Sequence, residues 1–431
     1  VELGEGHDIS FDAWRRSFRA SWEFLRIQAN VALRMFLPID NLPRDYAWGS
    51  RTAIAEILGR KASGGPEAEY WLGSHPVSPS LVVESGGTHA SATTLDAYLA
   101  DRGQPQLGFL LKVLAAAEPL SLQVHPTSEQ AREGFARESA AGIPRDAPHR
   151  NYRDASAKPE LIMALAEGLE ALSGFRPVSE STGVIGDFAR AASTSGDEPG
   201  SAAMMAFAVR VAERGLADAA TFALTDARAV DLTNSLIDVA RRDGAEVNPR
   251  ESETVRWLAD AFGGDPGILI ALLLNRVTLR EGEALFLGAG NLHAYLRGSG
   301  IEVMAASDNV LRGGLTTKHV DVAELLRVAS WEPLAAPVWP ATPEAPGVVA
   351  FYPPVDDFAL FCVSDPEPSA NIPARGSGIV LALDGALTVS GSVSRAVVER
   401  GDALYVSADE FPLTLSGRGR AVVATGENSS G

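Results

Sequence analysis

The sequence predicts a mainly β protein interrupted by a helical insertion. Short alternating or apolar segments lie between Gly, Pro and Ser turns in the first and last parts of the chain, while residues 176–275 switch to helical spacing. A third observation is an internal match between EGEALFLGAGNLH (281–293) and RGDALYVSADEFP (400–412), through Gly282/Gly401, Glu283/Asp402, Ala284/Ala403, Leu285/Leu404 and Phe286/Tyr405. It suggests two copies of one β-barrel unit. Where the first copy has His293 the second has Pro412, so only the first can bind a metal there.

In order along the chain, residues 1–38 read as an N-terminal extension. Trp14, Phe18, Trp22 and Leu25 form an apolar stripe among Arg15, Arg16, Arg19 and Arg26. An accessory helix is the simpler reading; a surface-binding or targeting helix is the alternative. From Ile39 to His125 the segments SLVVES, FLLKVL and LSLQVH read as strands, followed by a helix capped by Thr127 or Ser128 with Glu129 in its first turn. Residues 129–155 are polar and turn-rich, and ELIMAL (160–165) reads as a further strand. Helical patterns follow in SAAMMAFAVRVAERGLADA, AVDLTNSLIDVARRDG and ESETVRWLADAFGG. The β pattern returns after Leu274 in RVTLREGEALFLGAGNLHAYL. EPLAAPVWPATPEAPG (332–347) reads as a Pro/Ala linker, and 347–431 as a small β domain. The first β unit is therefore discontinuous, 39–175 with 276–331, around the insertion 176–275.

Composition narrows the function. The chain has 431 residues, 46% hydrophobic, and a formal net charge of -18, which argues against broad affinity for nucleic acid or anionic membranes. A local cationic pocket for a small anion stays compatible with it. One cysteine, Cys362, excludes an internal disulfide and a thiolate zinc cluster. The apolar run ILIALLL (268–274) is far short of the roughly 20 residues of a membrane helix. With no secretory leader recognised, a cytoplasmic location is expected.

The chemistry concentrates in two places. Leu120 to His125 alternate, so Ser121, Gln123 and His125 share one strand face and Leu120, Leu122 and Val124 the other. Gln123 and His125, with Glu160 at the head of a strand and His293 after a Gly-rich turn, offer two imidazoles, a carboxylate and an amide oxygen to a divalent metal. Singly, each has an ordinary explanation: a strand end, a turn, a chance His. The segment HAYLRGSGIEVMAASDNVLRGGLTTKHVDV (293–322) packs Glu302, Asp308, Arg312, Lys318 and His319 together. Arg312, beside Gly313 and Gly314, is suited to clamping a phosphate; Asp308 and Asn309 also read as turn formers, and Lys318 as solvated.

From about Asn41 onward the chain resembles the type I mannose-6-phosphate isomerases (phosphomannose isomerases), zinc enzymes of the cupin superfamily. The likeness rests on YAWGS (46–50), EYWLGSHP (69–76), FLLKVL (109–114), PLSLQVHP, KPELIMAL (158–165), ALSGFRP (171–177), GEALFLGAGNLHAYL and IEVMAASDNVLRGGLTTKHVDV. It implies a catalytic cupin (jelly-roll) barrel and a degenerate C-terminal copy, with one zinc held by Gln123, His125, Glu160 and His293. It further implies Arg312 in the active site, Lys112, Ser121 and Lys318 near the substrate phosphate, and Lys158, Glu302 and Tyr295 near the sugar.

The reaction so implied interconverts mannose 6-phosphate and fructose 6-phosphate through a cis-enediol, feeding mannose into central metabolism or supplying activated mannose. Glu302 and Lys158 compete for the role of proton-transferring base, with His319 a third, less favoured choice. Two rival readings are a 2-His-1-carboxylate metal oxygenase and a non-catalytic sugar-phosphate sensor. The cationic residues around SDNVLRGG argue against the first, and the full ligand set against the second. The expected partner is a small sugar phosphate, and the expected state a monomer.

Overall fold

The computed structural model describes residues 35–83, 93–242, 244, 247–373 and 376–427. The expected helix at 14–25 and the end of SLVVES lie outside the described residues. Among the described residues twenty strands form two ten-stranded sheets, and the pairings between strands are antiparallel. The C-terminal sheet recruits the first described strand, Phe36–Asp40, which pairs with Ala403–Val406. Apolar side chains of both sheets meet in one core, with Tyr70, Phe109 and Val303 packed among Phe351, Leu360, Ile379 and Val422.

The other sheet is organised by the long strand His293–Ala305. Its second half lies between Phe109–Ala116 and Glu160–Ala164, with Glu302 opposite Lys112 and Met304 opposite Glu160. Its first half pairs with Leu169–Phe175 and with Gln123. The two halves bend at Arg297–Gly300. Gly298 has φ of 111°, and a Cβ there would meet the Leu169 backbone, so both conformation and space require glycine.

The internal match is visible as geometry. Ala284–Leu287 and Ala403–Val406 are both fully buried strands, entered through Gly282 (φ 79°) and Gly401 (φ 88°).

Three sequence expectations need correction. The alternating segment Leu120–His125 contributes only Gln123–Val124 to a ladder, because the Leu120 and Leu122 amides donate instead to the Tyr295 and Gly314 carbonyls. The facial division holds nonetheless, since Leu120, Leu122 and Val124 are buried. The insertion begins with a helix, Val178–Thr194, that propensity hides: Gly183, Gly186 and β-branched residues are poor helix formers, yet Ile185, Phe188 and Ala192 anchor it in the core. Helices Glu198–Thr225, Arg228–Arg241, Pro249–Phe262 and Gly267–Ala271 complete that layer. Finally, the Pro/Ala linker contains strands. Val338–Trp339 pairs with Ala284–Leu285, and Thr342–Ala345 is an exposed sheet edge, where Pro343 is tolerated.

Thr127 caps the helix Ser128–Ala140 in a reciprocal capping box with Gln130. Its far side is tied to the helix Val322–Val328 by Glu324, which accepts from Tyr152 Oη (2.5 Å), Arg137 (2.7 Å) and Arg327 (2.5 Å). Burial alone would raise the Glu324 carboxyl, but the bonds from Arg327, Tyr152 and Arg137 outweigh it and hold the pKa to about 2. A depressed acid stabilises the fold above its ordinary pKa and ceases to do so as pH falls through the folded value. Glu324→Gln should therefore cost ~1.5–3 kcal/mol at pH 7. In denaturant titrations that gap should begin to close below the ordinary carboxyl pKa of 4.5 and approach zero near pH 2.

Candidate metal centre and active site

Glu160 heads its strand and is 3% exposed. Its Oε1 lies 3.3 Å from His125 Nε2 and its Oε2 3.5 Å from His293 Nε2. Lys158 Nζ, two residues back on the same strand face, is 2.6 Å from Oε1. Desolvation would raise this carboxyl, but Lys158 and His125 overcome it and hold its pKa well below the usual value. It is a buried anion.

Both histidines are fixed in tautomer by the backbone. His125 Nδ1 lies 2.8 Å from the Asn309 carbonyl and His293 Nδ1 2.9 Å from the Asn291 carbonyl. A carbonyl only accepts, so each Nδ1 carries a proton, which leaves Nε2 as the nitrogen each ring can offer to a ligand. Burial pushes the His125 imidazole down to about 4, so it is neutral at pH 7. His125 Nε2 is buried without a hydrogen-bond partner. A buried lone pair in that condition costs free energy unless something coordinates it.

Among the described residues His125, Glu160 and His293 are the cluster whose ligand atoms fall within 4.8 Å of one another. Two imidazoles and a carboxylate suit a divalent first-row metal. Gln123 stands opposite His293 on one side and Arg312 on the other, at the margin of the same group.

Beyond the histidines the site divides by charge. Glu302, 2% exposed, accepts from Lys112 Nζ (2.8 Å) on Oε2 and from Tyr295 Oη (2.9 Å) on Oε1. Burial raises its pKa; Lys112 opposes this, and the charges of Glu160 and Glu69 add to it. Lys112 is held above the ordinary lysine range: burial works against its charge, but Glu302, Glu69 and Glu160 prevail. Tyr295 is pushed well above 10 by burial and by the Glu302 charge. In a straight strand the seven residues from Tyr295 to Glu302 would span about 23 Å. The bend at Gly298 is what lets their side chains touch.

On the opposite side Arg312 donates to Ser121 Oγ at 2.5 Å. Its pKa is lowered by burial and by the charge of Arg153. Lys318 is lowered by partial burial and by Arg312 and Arg153, with Glu69 opposing. His319 is exposed and meets only the His149 ring, 6.4 Å away. Thus Ser121 joins Arg312, whereas Lys112 joins Glu302 and Glu69.

Several residues of this arrangement are not reached by spacing. His75 of EYWLGSHP is buried, edge-on to Trp71 at 5.4 Å, with Nε2 3.6 Å from Asp308 Oδ1. Asp154 accepts from Ser307 Oγ and the Asp308 amide, while Asn309 bonds Asp154, Ser156 and the Arg153 amide. The sequence signal for His75, Ser307, Asp308 and Asn309 is their placement inside the motifs EYWLGSHP and SDN; Asp154 lies in neither.

Comparison with known proteins agrees with this geometry. Residues 36–178 match a family model described as phosphomannose isomerase type I, catalytic domain. The chain is 37% identical over 395 residues to the mannose-6-phosphate isomerase of Escherichia coli (strain K12), covering 88% of this chain and 97% of that one. To that of Homo sapiens it is 29% identical over 417 residues, covering 88% and 95%. A crystal structure of mannose 6-phosphate isomerase from Salmonella typhimurium, bound to its substrate fructose 6-phosphate and a zinc atom, has a TM-score of 0.77 at 32% identity. It covers 91% of this chain and 99% of that one.

If His125 Nε2 is a metal ligand, His125→Ala should lower divalent-metal affinity at least as much as loss of an outer-shell partner does, about 10–100-fold. Gln123→Leu should also weaken it, without loss of β circular dichroism. Metal content after dialysis against a graded chelator measures both.

Proposed function

The chain belongs to the type I phosphomannose isomerase family, and from that premise we propose how its own residues carry out the family reaction. It is an aldose–ketose isomerase that interconverts mannose 6-phosphate and fructose 6-phosphate, with zinc as its cofactor. The carrying observation is the orphaned Nε2 of His125, opposite Glu160 and His293. We assign the zinc to His125, His293, Glu160 and Gln123. When bound there, zinc supplies Lewis-acid polarisation of the oxygens on C1 and C2.

Proton transfer through a cis-enediol needs a base at carbon. Glu302 fits best: burial raises its pKa, the Lys112 charge opposes the rise, and Tyr295 fixes its orientation. Lys158 is engaged with Glu160, and an ammonium has no lone pair to accept a proton. We therefore assign Lys158 to orienting Glu160 and to donating toward the sugar oxygens. Lys112 serves Glu302 rather than the phosphate. Arg312, positioned with Ser121, and Lys318 take the 6-phosphate.

One chain supplies all of these groups, which supports a monomer as the working unit. No helix among the described residues is long and apolar enough to cross a membrane, in keeping with a proposed cytoplasmic site of action. We also propose the catalytic barrel at 39–175 with 276–331, the helical insertion at 176–275, the extension at 1–38, and a degenerate cupin-like domain at 347–431.

A chelator should abolish turnover of mannose 6-phosphate and added zinc restore it. Glu302→Gln should lower kcat by about 10²–10⁴-fold and stop deuterium exchange from solvent into C2. If exchange survives in Glu302→Gln and disappears in Lys158→Met, the base is Lys158.

A further inference from the structure

We propose that Arg153 is the third cation of the phosphate subsite and sets the enzyme's affinity for the 6-phosphate; this rests on the isomerase reading above. Arg153 lies in a loop that composition marks only as polar and turn-rich, and nothing in its spacing singles it out.

The loop is built into the site. His149 meets the His319 ring at 6.4 Å, Asn151 Nδ2 donates to Asp321 Oδ2 at 2.9 Å, and Tyr152 Oη donates to Glu324 at 2.5 Å. These three contacts stitch residues 149–152 to the segment that follows Lys318. The Arg153 amide itself donates to Asn309 Oδ1 at 2.7 Å, three residues before Arg312. Arg153 is thereby bracketed between the segments that carry Arg312 and Lys318. These tethers place Arg153 beside the segment that carries Arg312 and Lys318, and its charge lowers the pKa of both.

None of the three has a carboxylate partner among the described residues. Arg312 bonds only the Ser121 hydroxyl, and Arg153 and Lys318 donate through their backbone amides. The buried side chains of Arg150, Arg176 and Arg276, by contrast, are each paired with a carboxylate. In a protein of net charge -18, three converging unpaired cations mark a place for a multivalent anion. A dianionic phosphate relieves their mutual repulsion and offers enough oxygens for all three. Because Arg153 is exposed, it would meet the phosphate at the mouth of the site, where it also steers the anion inward.

The test is steady-state kinetics of Arg153→Gln and Arg153→Lys in the zinc-loaded, full-length enzyme, with inorganic phosphate as a competitive probe. Arg153→Gln should raise both the KM for mannose 6-phosphate and the inhibition constant of phosphate about 10–100-fold. The fall in kcat should be much smaller, and zinc content should match the parent. Arg153→Lys, which keeps the charge but not the fork, should recover much of the loss. If both constants stay within about twofold of the parent in Arg153→Gln, the proposal is overturned. Should the parent itself fail to turn over mannose 6-phosphate, the isomerase reading falls, while calorimetry of phosphate binding to parent and Arg153→Gln still decides Arg153. Should Arg153→Gln fail to fold, Arg153→Met, which also removes the charge, decides: a phosphate inhibition constant within about twofold of the parent's overturns the proposal.

Discussion

A buried carboxylate is the constraint from which the rest of the site follows. Glu160 is almost fully withdrawn from water, and an isolated anion there would be neutralised rather than tolerated. It stays charged because the Lys158 ammonium touches it. That requirement fixes where the neighbouring strands must lie. His293 reaches it from the long strand, His125 from the Gln123–Val124 segment, and Lys158 from its own. A buried anion facing the unpartnered Nε2 of His125 and the Nε2 of His293 is a poor arrangement for protein alone and a good one for a divalent cation.

The second constraint is the bent strand His293–Ala305. A regular strand would separate the metal ligand His293 and the tyrosine Tyr295 from Glu302 by most of a sheet's width. The bend at Gly298 folds the two halves back on one another, so that His293, Tyr295 and Glu302 converge. The Asn309 region completes the link. Its carbonyl orients His125, its side chain holds the loop carrying Arg153, and three residues later the chain delivers Arg312. His125, Arg153 and Arg312 are thus all positioned by one short segment, which explains why so poor a strand and helix former is so fully hydrogen-bonded.

How much of this is legible in sequence depends on range. Alternation in LSLQVH correctly separates Leu122 and Val124, buried against the helical layer, from Ser121 and Gln123, which face Arg312. The repeat through Gly282 and Gly401 correctly pairs two buried strands, because a glycine entering a strand is a local signal. Register is not local. That Glu302 lies opposite Lys112, nearly two hundred residues apart, cannot be read from either segment, so the sequence groups Lys112 with the phosphate while in space it bonds Glu302. The helix Val178–Thr194 is invisible for the opposite reason, since tertiary burial of Ile185 and Phe188 overrides weak local propensity. Arg153 escapes because a turn-rich loop shows its purpose only through what it is tied to.

The central claim is that Glu160, His125 and His293 share one metal, with the imidazoles bound through Nε2. X-ray absorption at the zinc edge of the loaded protein tests it most directly. The account predicts a first shell of light N/O donors near 2.0–2.1 Å, with outer-shell scattering from two imidazole rings that falls to one ring in His293→Ala. A spectrum without imidazole scattering, or one unchanged by His293→Ala, would contradict it.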